Sequence, residues 1–196
     1  KANERKYGYR PQSAGIARSP KAALLLLLLL TLPALVQAQD YTYTIDSGEI
    51  TITGYTGPGG AVTIPDTING LPVISIGFRA FRNVTSLTSI TIPSSVTSIG
   101  DQAFFNCTSL TSVTIPSSVT SIGSSVFLGC TSLTSVTIPS SITSIGSYAF
   151  FNCTSLTNLT IGNSVTSIGD FAFYFCNSLT SVTIPNSVTS IGDEAF

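Results

Sequence analysis

The sequence contains no histidine. A Ser-His-Asp triad therefore cannot be assembled from it, and zinc loses one of its two preferred ligand types. Charge is scarce as well: Asp, Glu, Lys and Arg make up 9% of the 196 residues, against about 25% in a typical soluble domain. Ser and Thr supply the missing polarity, yet no serine recurs with a Lys or carboxylate that could act as its base. Asp193 and Glu194 are chain neighbours, which is not the geometry of two carboxylates flanking a bond. These absences argue against an enzyme, and no cofactor or metal is expected.

Basic residues are confined to one end. Six of the eight, Lys1, Arg5, Lys6, Arg10, Arg18 and Lys21, precede the apolar run "AALLLLLLLTLPALV" of residues 22–36. A basic start, a short apolar stretch and the small-residue exit at Val36 and Ala38 predict a secretory signal peptide over residues 1–38. A membrane span needs about 20 apolar residues, and Pro33 interrupts this one; an uncleaved N-terminal anchor is the other reading. Either way the remainder is expected to be secreted or displayed at the cell surface. From residue 39 onward two basic residues, Arg79 and Arg82, stand against eight acids, a net charge of −6. Phosphate backbones are held by clustered Lys and Arg, so nucleic acid is excluded as a partner. The chain begins at Lys1 and stops at Phe196 inside a repeated unit, and is read as a fragment of a longer product.

What the sequence does contain is repetition. "LTSVTIPSSVTSIGSSVFLGCTS" (110–132) is followed directly by "LTSVTIPSSITSIGSYAFFNCTS" (133–155), with five of 23 positions changed. Phe81, Phe104, Phe127, Phe150, Phe173 and Phe196 keep that step, as do Leu87, Leu110, Leu133, Leu156 and Leu179. A fixed period of 20–29 residues marks a leucine-rich-repeat solenoid, here with four full units and a truncated fifth over residues 87–196. A single unit cannot bury its apolar edge alone, so stability resides in the array.

Within a unit, the alternation of Val113, Thr114 and Ile115 predicts a short strand with one buried face, ended by Pro116. Val119 and Ile122 turn inward, and Gly123 permits a sharp corner. Ser124, with Asp101, Asp170 and Asp193 in the same slot, is placed to cap one helical or 3₁₀ turn. Phe127 and Cys130 then point inward. This β-rich pattern resembles the BspA-like leucine-rich repeats of bacterial surface and secreted proteins over residues 62–196, since Leu, Ile-Pro, Ile-Gly, Ala-Phe and Cys recur in order. Gly162, Val126 and Val84 depart from the motif. The resemblance implies a curved solenoid that in several members serves extracellular adhesion or recognition, and it implies no catalytic residues.

Residues 39–60 read as an N-terminal β-hairpin cap and loop: "YTYTI", a turn at Asp46-Ser47-Gly48, "EITITGY", then "TGPGG". Residues 61–86 form a degenerate first repeat with five extra residues around Asn69-Gly70, a turn signal.

The outward strand positions are the candidate ligand-binding residues: Ser89 and Thr91, Ser112 and Thr114, Ser135 and Thr137, Asn158 and Thr160, Ser181 and Thr183. The expected partner is an extracellular protein or glycan. Such positions also default to Ser and Thr in any low-charge sheet; a structural spacer for a missing domain, and a regular ice-binding hydroxyl array, are the alternatives. Cys107, Cys130, Cys153 and Cys176 stack in one column and are expected to be free and buried, because parallel side chains suit a disulfide poorly and zinc would call for His or closely spaced pairs. Phe105, Leu128, Phe151 and Tyr174, with Tyr148, Phe171 and Phe175 nearby, are expected to pack between coils; exposed, they would suggest sugar stacking or assembly. Glycosylation sequons at Asn83, Asn106, Asn152 and Asn158 are read as by-products of an Asn-, Ser- and Thr-rich repeat.

Overall fold

The computed structural model describes residues 40–196. The predicted signal peptide lies outside them. In chain order the strands are β1 (Tyr41–Asp46), β2 (Glu49–Tyr55), β3 (Gly60–Thr63), β4 (Thr67–Ile68), β5 (Leu71–Ile76), β6 (Leu87–Thr91) and β7 (Ser98–Ile99). They continue as β8 (Ser112–Thr114), β9 (Ser135–Ile138), β10 (Ser144–Ile145), β11 (Asn158–Ile161), β12 (Ser167–Ile168) and β13 (Ser190–Ile191). β3, β6, β8 and β9 stop one or two residues before Pro65, Pro93, Pro116 and Pro139, which cannot donate to a ladder.

Two parallel ladders run along the coils. One stacks β3, β6, β8, β9 and β11, with Ile90 opposite Val113 and Val136 opposite Leu159. The other joins Ile52 of β2, Ile76 of β5 and Ile99 of β7, passes through bridges at Ile122 and Ile145, and ends at Ile168 and Ile191. β1 and β2 pair antiparallel, Asp46 opposite Glu49, across left-handed Ser47 and Gly48. The five extra residues form the β4–β5 turn, where Ile68 meets Leu71 across left-handed Asn69 and Gly70.

The third edge of each coil, expected to hold one helical or 3₁₀ turn, is a run of successive turns, with neither an α-helix nor a 3₁₀-helix along it among the described residues. The backbone N–H groups alternate. Those of Ala103, Phe105 and Cys107 bond back to Gly100, Gln102 and Phe104 within their own coil. Those of Gln102, Phe104 and Asn106 point the other way, to the carbonyls of Ser124, Val126 and Leu128 in the next coil, at 3.0, 2.9 and 2.7 Å. A helix would keep all of these donors within its own segment; here half of them tie neighbouring coils together instead. The Asp slot behaves the same way, for Asp101 and Asp170 accept from the N–H of Ser124 and Asp193 one coil later rather than capping their own segment.

Alternation requires two left-handed residues per coil. Gln102 and Asn106 have φ of 59° and 55°; Arg79 and Asn83, Ser125 and Gly129, Tyr148 and Asn152, and Phe171 and Phe175 repeat the pair. Such a conformation costs an ordinary side chain about 1–2 kcal/mol, while Gly and Asn tolerate it better. The requirement explains the asparagines at three of the sequons. Gly123 and its counterparts are not among the left-handed residues. Their role is close approach: a Cβ on Gly146 would lie 2.6 Å from the Gly123 carbonyl carbon.

The core is one continuous column of side chains. Phe81, Phe104, Phe127 and Phe150 are fully buried, their rings 5.2–5.3 Å from their neighbours in the stack, and Tyr55 of the hairpin extends the stack with its ring 5.1 Å from Phe81. Cys107, Cys130, Cys153 and Cys176 are buried and unpaired. Each thiol donates to the carbonyl of a Phe one coil back, Cys107 to Phe81 at 3.1 Å and Cys130 to Phe104 at 3.2 Å. Val84 fills the slot in the first coil, where no earlier Phe exists to accept such a bond.

Candidate recognition surface

The ladder of β3, β6, β8, β9 and β11 fixes where the candidate residues lie. Its register sets Ser89 opposite Ser112, Ser112 opposite Ser135, and Ser135 opposite Asn158; Thr91 pairs with Thr114, and Thr137 with Thr160. Ser89 is half-buried and the others are exposed. Ser181 and Thr183 are exposed too but belong to no strand, having a neighbouring rung on one side only. The two polar columns are thus continuous as a sheet from β6 to β11.

Not all hydroxyls on the coils are equivalent. Thr111, Thr134 and Thr157 donate their Oγ1 protons to the carbonyls of Thr88, Thr111 and Thr134 at 3.0, 3.2 and 3.1 Å. Thr166 and Thr189 do the same along the second ladder, and Ser141 reaches the Val119 carbonyl at 2.6 Å. These side chains brace one coil on the next. Ser112, Thr114, Ser135, Thr137 and Thr160 make no side-chain hydrogen bond to another described residue, so their donors and acceptors face solvent unspent. Sequence periodicity treats both sets alike; only the register separates them.

Between the columns lie shallow depressions. One of about 290 Å³ is lined by Ser112, Thr114, Ser135 and Thr137 with the edges of Val113, Ile115 and Val136. Another, of about 270 Å³, lies beside Thr160, Asn163 and Thr183. No acidic or basic side chain lines either, so the surface offers hydroxyls and small apolar patches without a strong field. Such a face can hydrogen-bond a neutral partner across several coils.

The remaining candidates are arranged otherwise. Burial pushes the Cys107 thiol up to about 12 and Cys130 well above its ordinary value, so these thiols stay protonated donors and poor nucleophiles. No cluster of three or more metal-ligating side chains occurs among the described residues. Phe151 and Tyr174 stack across adjacent coils at 5.7 Å, half-buried, while Tyr148 and Phe175 are exposed on the turn edge.

Comparison with known proteins places this geometry. A model described as a BspA type leucine rich repeat region matches six copies over residues 74–196. The fold is similar to the T. pallidum leucine rich repeat protein (30% identity, TM-score 0.65, covering 79% of this chain and 84% of that one). It is also similar to a leucine rich cell surface protein from Faecalibacterium prausnitzii (38%, TM-score 0.62, covering 80% and 50%) and to the pneumococcal vaccine antigen PcpA (26%, TM-score 0.61, covering 78% and 44%). The chain thus spans about half the length of the latter two. No curated protein matches. With six matched copies and coils that stack at the motif's own period, the chain belongs to the BspA-type leucine-rich-repeat family.

Proposed function

We propose that the protein is an exported, non-catalytic recognition or adhesion module, with the β1–β2 hairpin as its cap. Its binding face is the strand ladder bearing Ser89, Thr91, Ser112, Thr114, Ser135, Thr137, Asn158, Thr160, Ser181 and Thr183. The family contains cell-surface proteins such as the Faecalibacterium relative, which supports display outside the cell. The observation that carries the reading is the division of labour among hydroxyls: flanking Thr columns spend theirs on backbone carbonyls, while the strand-face columns keep theirs free and aligned from coil to coil. A partner spanning several coils would gain from each rung at once. The ligand class is an extracellular protein or a glycan.

The test is a binding screen of the chain against immobilised matrix proteins and a glycan array. The comparison is a variant with Ser112, Thr114, Ser135 and Thr137 replaced by Glu. A ligand that binds the parent and loses at least about tenfold in affinity with the variant supports the reading, since several interfacial contacts worth about 1 kcal/mol each are removed. Equal binding by the two sinks it. A second reading, a spacer displaying another domain, draws on the uninterrupted ladders, which make the array stiff; it predicts no ligand for either protein.

A further inference from the structure

The turn edge carries a second surface, on the opposite flank of the sequence unit from the strand-face columns. In the last two full coils Tyr148, Phe151, Phe171, Tyr174 and Phe175 form one connected aromatic cluster. Tyr148 stacks on Phe171 at 5.0 Å and 13°, Phe151 on Tyr174 at 5.7 Å, and Phe175 meets Phe151 edge-on at 5.6 Å. Tyr148 is 37% exposed and Phe175 49%.

The solenoid does not ask for these residues. Tyr148, Phe171 and Phe175 occupy left-handed slots that Gln102, Ser125, Asn106, Gly129 and Asn152 fill in sister coils. Large rings in that backbone conformation, half in water, oppose both local preference and burial. Local conflicts of this kind cluster where a surface does something besides fold.

The same columns, nearer the start of the array, display a ligand for such rings. The Arg82 guanidinium lies 5.0 Å over Phe105, the counterpart of Phe151 and Tyr174. Arg79 sits 4.4 Å over Phe78 and donates Nε–H to Gln102 Oε1 at 2.6 Å, one coil along its own column. In the later coils no described cation lies over the rings, and acids occupy neighbouring positions in the chain and in the column. Glu194 follows Tyr148 and Phe171 in the column of Arg79 and Gln102; Asp170 adjoins Phe171, and the Phe171 N–H bonds to the Asp193 carbonyl at 2.9 Å. Among the described residues no basic side chain follows Arg82, and none is paired with these rings or carboxylates. Rings beside uncompensated carboxylates suit a guanidinium or ammonium and repel nucleic acid and anionic lipid.

We propose that this turn edge binds a segment of another protein that presents Arg or Lys side chains. The test is titration of the full chain with an acetylated, amidated tetra-arginine peptide, followed by the ring resonances of Tyr148, Phe151 and Tyr174. Tetra-citrulline, of the same shape without charge, serves as control. The variant Tyr148→Ser/Phe171→Gln/Phe175→Asn takes its residues from sister coils and relieves three strained positions, so its melting temperature should not fall. Tetra-arginine should bind the parent, tetra-citrulline should bind at least about tenfold more weakly, and the variant should lose a similar factor, the scale of a cation over an aromatic face. Glu194→Gln should weaken binding in the same direction. Equal binding of both peptides, or unchanged binding by the folded variant, overturns the proposal. Self-association that disappears in Arg79→Gln/Arg82→Gln also overturns it, by making a second copy of this chain the occupant.

Discussion

Replacing Phe127 by Ala removes a ring that is fully buried and stacked on both sides, at 5.3 Å from Phe104 and 5.2 Å from Phe150. The backbone bonds of Phe127 to Ala149 and from Cys130 do not involve the ring and survive. The loss is therefore that of a core Phe with a cavity left behind, about 3–5 kcal/mol. A domain of this size has about 5–15 kcal/mol of stability in all. Phe196 is the natural comparison: it is 47% exposed and has one stacked neighbour, Phe173, at 5.2 Å. Half-burial makes Phe196→Ala cost only about 1 kcal/mol. Urea unfolding followed by far-ultraviolet circular dichroism measures both. Coils that hold only their neighbours lose cooperativity at the damaged rung, so Phe127→Ala should lower the m-value as well as the midpoint. Costs for the two variants that agree within about 0.5 kcal/mol would refute the stacked-column account, because position in the array would then not matter.

Three further outcomes rest on the same geometry. Gly146→Ala forces a methyl to 2.6 Å from the Gly123 carbonyl carbon and should cost about 1–3 kcal/mol, as overpacking does, read as a lower melting temperature. Ser125→Gly relieves a left-handed residue at φ 56° and should raise stability by about 0.5–1 kcal/mol, measured by urea midpoint. The Cys107 thiol is raised from 9.0 to about 12 by burial, so the folded state holds its proton longer than the unfolded chain. That stability is fully present below pH 9 and is lost as pH rises from 9 towards about 12, by about 1.4 kcal/mol per pH unit. Urea midpoints between pH 8 and 11 should therefore fall more steeply for the parent than for Cys107→Ala, and parallel slopes would contradict the assignment.

Much of the fold was legible because the unit is written repeatedly: a 23-residue step in Phe, Leu and Ile can only stack. The strand at Ser112–Thr114 and the turn at Asn69-Gly70 were local enough to read directly. The edge after Gly123 was not. Ser124 and the aspartates look like helix caps, but the competing acceptors belong to the next coil, and no local pattern reveals that half the donors will leave their own segment. Gly123 and Gly146 look like corner residues for the same reason; what a side chain would meet there is the preceding coil, the Asp101 carboxylate at Gly123 and the Gly123 backbone at Gly146. The strand-face residues were legible as outward positions, whereas the separation of Thr111, whose hydroxyl is bound, from Ser112, whose hydroxyl is free, needed the register. The aromatic cluster was visible as composition only, since left-handed Tyr148, Phe171 and Phe175 break the preferences by which sequence is read.

Nearly every tie between coils, from Thr134 N–H to the Thr111 carbonyl on the strand side to Phe127 N–H to the Ala149 carbonyl on the turn side, joins residues about one unit apart in the chain. An in-frame gain or loss of one 23-residue unit therefore hands every group an equivalent partner and opens no gap in either ladder. The length of the array can thus drift between lineages at little folding cost, and the span of whatever it contacts can be adjusted in steps of one rung.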